Sequence, residues 1–298
     1  AFNNEIPQPE AAVHQITAYT KMFQQQFPER QILGVGIASP GFTDPQSGDI
    51  LSIGRVAGWQ HFPMCHALQT ILDVPVHIAN DVDCMAFAEF QHTGTSLDRN
   101  LCYVGFDEGV KVSMFLDGQL YKGAFGNVGL ISTRLLDNDT DGIVDDILTI
   151  HGLNKTFVGK VMALDTSSQA TYDSILSIHN PRQRMQEILE WGASGDAICR
   201  DVTQMMIRYL VKSIVMTTYL IQPDILVLGG VLSTVPSSLY QQIEAAIYEA
   251  LPTLFGNHLV IRQATLSSPN RAALGASYHF LKTYLADANT DPLAILSV

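Results

Sequence analysis

Asn80 and Asp81 are the residues of this sequence best placed for acid–base chemistry. They follow an apolar segment, 76–79, that predicts a strand, and they precede a helix predicted from about 82 to 91. A carboxylate at the start of a helix can accept a proton from a hydroxyl group held beside it, and the neighbouring amide can bind a second hydroxyl group. A structural interpretation stays open, because Asn and Asp also cap the N-termini of helices.

Two glycine-containing turns follow other predicted strands. Residues 39–48 are dense in turn formers and include Ser39 and Gly41, and we expect a loop there. The pair Gly229–Gly230 follows a fully apolar segment, 225–228, which is typical of a buried parallel strand. Because ligands bind at the carboxyl ends of parallel strands, both turns are candidate ligand contacts.

The acidic segment 137–146 has part of the spacing of a calcium loop. Asp137, Asp139 and Asp141 alternate ahead of a glycine, so that their carboxylates could converge on one cation. Position twelve of such a loop usually supplies a bidentate acid, but here it is Leu148. We favour a solvated acidic loop, with a weak Ca²⁺ site as the alternative.

Composition excludes several classes of function. The chain has 298 residues and a formal net charge of −12, which repels DNA phosphates and anionic lipids. Apolar residues make up 47%, enough for a large core, yet no apolar run approaches the roughly 20 residues that a bilayer span requires. The first residues do not have the pattern of a secretory signal, so we expect a cytoplasmic protein without membrane contact.

Cysteine and histidine motifs for metal binding and motifs for nucleophilic catalysis are missing from the sequence. The four cysteines are far apart and form no CxxC pair, and the nine histidines show no HExxH spacing. Ser39 does not lie in a GxSxG elbow. We therefore expect buried free thiols, no zinc site and no serine hydrolase chemistry.

The order of predicted elements divides the chain into two α/β lobes. Residues 1–100 alternate helices with strands, whereas from residue 101 two strands and the turn Asp117-Gly118 predict an antiparallel meander. The longest predicted helix runs from about 195 to 221. We place the N-terminal lobe at 1–100 and the C-terminal lobe at 101–280, with a helix near 280–298 that can pack back on the first lobe.

This order of segments resembles the ROK family (repressor, open reading frame, kinase), which comprises sugar kinases and sugar-responsive repressors. The motifs that carry the resemblance are residues 34–41 with 58–59, 79–86, 117–129, 226–230 and 273–276. They imply a two-lobed actin-like ATPase (ribonuclease H-like) fold. Residues 1–31 resemble the family's first long helix, so we expect the first strands of the N-terminal lobe to lie outside this chain.

The resemblance implies a sugar site at Ser39, Gly41, Asn80 and Asp81. In the kinases of this family the residue matching Asp81 is the general base, which accepts the proton of the sugar hydroxyl as that oxygen attacks the γ-phosphate of ATP. If phosphoryl transfer is lost, Asp81 remains as a ligand contact or a relic.

The motifs that bind nucleotide in the kinases of this family are incomplete in this sequence. The Asp-x-Gly-Gly-Thr turn that cradles phosphate does not occur in the sequence, and Asp107 and Glu108 stand in the second phosphate loop. Gly109, Gly229 and Gly230 are then vestiges of a nucleotide site. The Glu and His that bind sugar hydroxyls and zinc are replaced by Leu130 and Thr133, and the family's cysteine cluster is also missing.

We therefore predict the effector-binding and oligomerisation domain of a ROK-type regulator of carbohydrate metabolism. It would bind a sugar or sugar phosphate, contact DNA only through a separate helix-turn-helix outside this chain, and form a homodimer or homotetramer. No cofactor is expected apart from the Ca²⁺ alternative. The competing prediction is an ATP- and Mg²⁺-dependent kinase of a hexose or N-acetylhexosamine, with Asp81 as base.

Overall fold

Short apolar strands alternate with amphipathic helices in this chain, which confirms the predicted α/β class. The structure is a computed structural model and describes residues 8–54, 56–93, 100–131, 147–266 and 270–287. These residues form two units. Unit one is made of the described parts of 1–95, 122–128 and 266–298, and unit two of the described parts of 96–121 and 129–265.

The helices and strands have the following bounds. The strands are β1 (Val35–Ser39), β2 (Phe42–Asp44), β3 (Asp49–Ser52), β4 (Gln60–Phe62), β5 (Val76–Asn80), β6 (Leu101–Phe106), β7 (Val110–Leu116), β8 (Gln119–Leu120), β9 (Ile225–Gly230) and β10 (Val260–Gln263). The α-helices are α1 (Pro9–Gln26), α2 (Met64–Leu72), α3 (Asp81–Thr93), α4 (Ile150–Met162), α5 (Thr166–Gln169), α6 (Asp173–Leu176), α7 (Pro181–Ala193), α8 (Ala197–Ile221), α9 (Ser237–Ala250), α10 (Thr253–Gly256) and α11 (Arg271–Asp287). Short 3₁₀ turns cover Ala170–Tyr172 and Val231–Thr234.

A parallel strand pair and two helices organise unit one. β1 and β5 run side by side, with Val35 opposite Val76 and Ser39 opposite Asn80, so their carboxyl ends coincide. Helix α11 packs against α3 and against β1. At Gly275 the helices approach so closely that a Cβ would overlap the carbonyl oxygen of Cys84. The φ of Gly275 is not in the left-handed region, so the backbone conformation does not require glycine. The lack of space for a Cβ requires it.

The prediction of a loop over 39–48 was wrong for Phe42–Asp44, which form strand β2. Strands β2, β3 and β4 form a three-stranded antiparallel sheet. Residues 45–48, between β2 and β3, form a turn, as predicted. Thr43 and Ile50 face each other across β2 and β3 and are both buried. Strands of three or four residues are too short to show a clear alternation of apolar and polar residues, so the turn-forming residues determined the prediction.

Unit two is built on a five-stranded sheet in the order β10-β9-β6-β7-β8. β6 pairs in parallel with β9 and antiparallel with β7, and both of its faces are buried. Asp117 and Gly118 take positive φ values and connect β7 to β8, which confirms the predicted hairpin. Helix α8, with 25 residues, packs against α7 and α9. Within the described ranges, no helix is long and apolar enough to cross a membrane.

His279 is a buried titratable group in unit one. It lies on α11 with its ring 6.1 Å from that of Phe87 on α3. Burial lowers its pKa from 6.5 to about 4, and the positive charges of Lys122, His77 and Lys282 act in the same direction. The folded protein therefore keeps this imidazole neutral at pH values where the unfolded chain would protonate it.

We predict that His279 makes unit one less stable in mild acid. Between about pH 6.5 and pH 4 the unfolded state binds a proton that the folded state does not, so the free energy of unfolding should fall by up to about 1.4 kcal/mol per pH unit. Urea unfolding can be followed by Trp59 fluorescence in a Trp191→Phe background. His279→Gln should flatten the slope, and exposed His92→Gln should leave it unchanged; equal slopes in all three would contradict the assignment.

We also predict that Gly275→Ala destabilises unit one by about 1–3 kcal/mol, because the added methyl group overlaps the backbone of α3. Helix propensity alone predicts the opposite sign, a gain of about 1 kcal/mol. Ser277→Ala, at an exposed position of the same helix, serves as the control and should change stability by less than about 0.5 kcal/mol. The measurement is the same urea titration, and a stabilised Gly275→Ala would refute the close packing.

Candidate functional site

The predicted sugar-site residues meet at the carboxyl ends of β1 and β5 in unit one. Ser39 ends β1, Asn80 ends β5, and the two are register partners. Both are 3% exposed, which is unusual for polar side chains outside a site or a capping position. The Ser39 hydroxyl donates to the carbonyl oxygen of Pro40 at 3.0 Å. Two neighbouring strand ends thus bring together residues that are 41 positions apart in sequence.

Asn80 connects the start of α3 to the turn after β1. Its Oδ1 accepts the backbone N–H of Val82 at 3.0 Å and that of Asp83 at 3.4 Å, which is the pattern of a helix N-cap. Its Nδ2 donates to the carbonyl oxygen of Gly41 at 3.0 Å. The capping interpretation is therefore correct for Asn80, and the same side chain also fixes the turn that carries Gly41.

Gly41 is a glycine for two physical reasons. Its φ of +79° lies in the left-handed region, which L side chains rarely adopt. A Cβ at this position would also overlap the carbonyl oxygen of Ser52, the last residue of β3. The turn after β1 is therefore pressed against the small antiparallel sheet, and Asn80 holds it from the other side.

Asp81 occupies the first turn of α3 and is half-buried. One carboxylate oxygen accepts the backbone N–H of Val82 at 2.9 Å. Asn80 and Asp81 both accept the N–H of Val82, and Asn80 also accepts that of Asp83. A carboxylate at the start of a helix is chemically suited to contact a ligand hydroxyl group or to act as a base.

Asn127 supports this site and was not singled out by sequence reasoning. Its Nδ2 donates to the carbonyl oxygen of Thr43 at 2.9 Å, and its Oδ1 accepts the N–H of Thr43 at 3.0 Å. The amide thereby pairs with β2 as a strand residue would. Only the Gly126-Asn127 turn signal marks it in the sequence, and nothing local indicates that Thr43, 84 positions away, is its partner.

The three predicted nucleotide residues lie at one end of the sheet in unit two. Gly229 and Gly230 end β9, opposite Gly105 and Phe106 of β6, and Gly109 belongs to the turn between β6 and β7. Gly229 has a packing reason, because a Cβ would overlap the ring of Tyr103. Gly230 has a φ of +66°. The glycine pair is thus required by the sheet itself.

A carboxylate stands at that strand end. Asp107 Oδ1 lies 2.7 Å from Arg182 Nη2, and Asp107 Oδ2 lies 2.9 Å from the position a Cβ would take at Gly230. Exposed Glu108 follows in the same turn. The residues present do not fit the phosphates of ATP, since this negative charge lies where backbone donors would be needed.

The remaining predicted contacts are only partly described. Leu130 forms an isolated bridge with Lys111 of β7, whereas Thr133 and the acidic residues Asp137, Asp139 and Asp141 lie outside the described residues. In the described part of the chain, no three His, Cys, Asp or Glu side chains are grouped closely enough to hold a metal ion. All four cysteines are buried free thiols, as predicted.

The sequence model of the ROK family matches residues 4–283. The chain belongs to the ROK family. Both branches of that family occur among its relatives. The chain is 23% identical over 272 residues to the DNA-binding transcriptional dual regulator NagC of Escherichia coli, covering 89% of this chain and 64% of NagC. It is 24% identical over 259 residues to the β-glucoside kinase of Klebsiella pneumoniae, covering 84% and 79% respectively.

Solved ROK structures confirm the actin-like ATPase fold. A ROK transcriptional regulator homologous to E. coli Mlc has a TM-score of 0.75 at 21% identity, covering 92% of this chain and 69% of the regulator. A ROK glucokinase from Streptomyces griseus, in complex with glucose and AMPPNP, also has a TM-score of 0.75, at 17% identity, covering 92% and 88%. The chain spans 41–64% of the length of the curated repressors that it matches.

We predict that the two roles of Asn80 can be separated by substitution. Asn80→Ala removes the cap and the contact with Gly41, and should lower the free energy of unfolding of unit one by about 1–3 kcal/mol. Asn80→Ser keeps a capping oxygen but cannot reach Gly41, so about half of that loss is expected. Urea titration on the Trp59 signal measures both. If Asn80→Ser is as stable as the wild type, the contact with Gly41 contributes nothing.

Proposed function

We propose that this chain is the effector-binding and oligomerisation domain of a ROK regulator of carbohydrate metabolism, and that it binds a sugar or sugar phosphate without transferring phosphate. The observation that carries this proposal is the Asp107–Arg182 ion pair at the carboxyl ends of β6 and β9. A nucleotide-dependent kinase needs phosphate-binding donors at such a strand end, and a fixed carboxylate opposes them. The repressors among the relatives support the same choice.

The proposed sugar site consists of Ser39, Gly41, Asn80 and Asp81. Sugars present neighbouring hydroxyl groups, which are bound by amide and carboxylate side chains held in fixed geometry. The bonds of Asn80 to both α3 and Gly41 supply that rigidity. Asp81, half-buried beside it, would accept a hydrogen bond from a sugar hydroxyl group and keep its charge.

A second function, an ATP-dependent sugar kinase, is favoured by one observation. Asp81 stands half-buried in the first turn of α3, directly after the end of β5, a position suited to a general base. The β-glucoside kinase, of which the chain covers 79%, is consistent with this alternative. It would require ATP and Mg²⁺ to bind despite Asp107 and Glu108.

The wider context of the domain follows from charge and from family. A net charge of −12 opposes direct binding of DNA, so a separate helix-turn-helix would make the operator contacts. We propose a homodimer or homotetramer in the cytoplasm. The Ca²⁺ site at Asp137, Asp139 and Asp141 remains a secondary proposal, which calorimetry at millimolar calcium would test.

We predict that sugars or sugar phosphates bind this protein through Asp81 and that no ADP is released. Calorimetry across a panel of hexoses, N-acetylhexosamines and their 6-phosphates should find at least one ligand. Asp81→Asn should weaken it by about tenfold or more, because a charged hydrogen bond is lost. Asp73→Asn, the same charge change at the opposite end of β5, is the matched control and should bind normally.

A coupled ADP-release assay with the same panel and the full-length gene product decides between the two functions. The regulator proposal requires a rate no higher than that of the Asp81→Asn variant. Sugar-dependent ADP release that disappears in Asp81→Asn would establish the kinase and overturn the regulator.

A further inference from the structure

The carboxylate of Asp107 lies beside the glycine that ends β9. Phe106 of β6 is the register partner of Gly230, and Asp107 is the next residue of the chain. A Cβ at Gly230 would overlap the carbonyl oxygen of Phe106 and would lie 2.9 Å from Asp107 Oδ2, so this strand end requires glycine, whose φ here is +66°. The backbone of Asp107 is fixed as well, since its N–H donates to the carbonyl of Gly109 and its carbonyl accepts the N–H of Ile150, both at 3.0 Å.

The cation that faces this carboxylate is a guanidinium group. Arg182 stands at the start of α7, but its backbone N–H and that of Gln183 donate to Asn180 Oδ1 at 2.9 and 3.1 Å. The end of the helix is therefore already capped, and the charge at the site comes from the Arg182 side chain. The side chain of Arg182 is 45% exposed and that of Asp107 26%, so solvent reaches the guanidinium group, whereas Asp107 Oδ1, the oxygen in contact with it, is buried.

We propose that the Asp107 carboxylate is an internal anion occupying a phosphate-binding position, and that Arg182 is the latent phosphate ligand of unit two. A guanidinium group binds carboxylate and phosphate oxygens alike, so one anion can replace the other. A tethered carboxylate has a high effective concentration and needs no ligand in solution. While it is in place, a phosphate must both displace it and approach its charge together with that of Glu108.

This inference rests on the proposed function in one respect, because the same ion pair carries the proposed loss of phosphoryl transfer. The proposed sugar site lies in unit one, and the phosphate result does not depend on whether that site binds sugar. The contact between Asp107 and Arg182 is what excludes polyphosphate from this strand end. The exclusion is reversible, because the guanidinium group and the glycine-lined strand end remain when the carboxylate is removed.

The test is to remove the internal anion and titrate inorganic phosphate at constant ionic strength, following ³¹P line width and heat of binding. Asp107→Ala should bind phosphate about tenfold or more tightly than the wild type, because Arg182 becomes available. Asp107→Ala combined with Arg182→Gln should return to the wild-type value. Glu108→Ala removes the same charge from the neighbouring exposed residue and is the matched control. Asp107→Asn replaces Asp107→Ala if thermal unfolding shows that the alanine variant does not fold.

Three results would overturn the proposal. These are phosphate binding by Asp107→Ala no tighter than that of the wild type, an equal gain in Glu108→Ala, or a gain that survives Arg182→Gln. The second result would mean that net charge alone controls phosphate affinity. Sugar titrations on the same variants keep the two proposals apart, since failure to bind sugar refutes the site in unit one and leaves the phosphate result standing.

Discussion

The side chain of Asn80 is the contact on which the candidate sugar site depends. One amide caps α3 and also holds the carbonyl of Gly41, so the end of β5, the first turn of the helix and the turn after β1 form one rigid structure. A buried amide must have its hydrogen bonds satisfied, and here the groups that satisfy it belong to the site. The neighbouring Asp81 begins the same helix and accepts the N–H of Val82, so its carboxylate is held beside this amide.

The strand ends of the two units carry different side chains. In unit one the ends of two parallel strands carry polar side chains that can bind hydroxyl groups. In unit two the ends of β6 and β9 carry glycines, and a carboxylate paired with Arg182 lies beside them. The glycines alone would suggest a phosphate site, yet Gly229 and Gly230 also have steric reasons within the sheet. A glycine-rich strand end is therefore not sufficient grounds for assigning nucleotide binding.

Much of the fold could be predicted from local pattern. The apolar segments that became β5, β6 and β9, the turn Asp117-Gly118, and the amphipathic period of α8 all have signals within ten to twenty residues. The small sheet β2-β3-β4 could not be predicted. Its strands are three or four residues long, and contacts with other segments hold them, including that of Asn127 with Thr43. Membership of the ROK family was also visible, since it rests on the order of motifs.

The sequence by itself determined which side chains are available, and it placed Asn80 and Asp81 after a strand and before a helix. Only the tertiary structure decided what each of them does, because hydrogen bonds to Gly41 and to the start of α3 depend on two strand ends meeting. It alone joined Asp107 to Arg182. No local propensity encodes an ion pair between a strand end and a distant helix, since the distance between them is set by how β6, β9 and α7 pack.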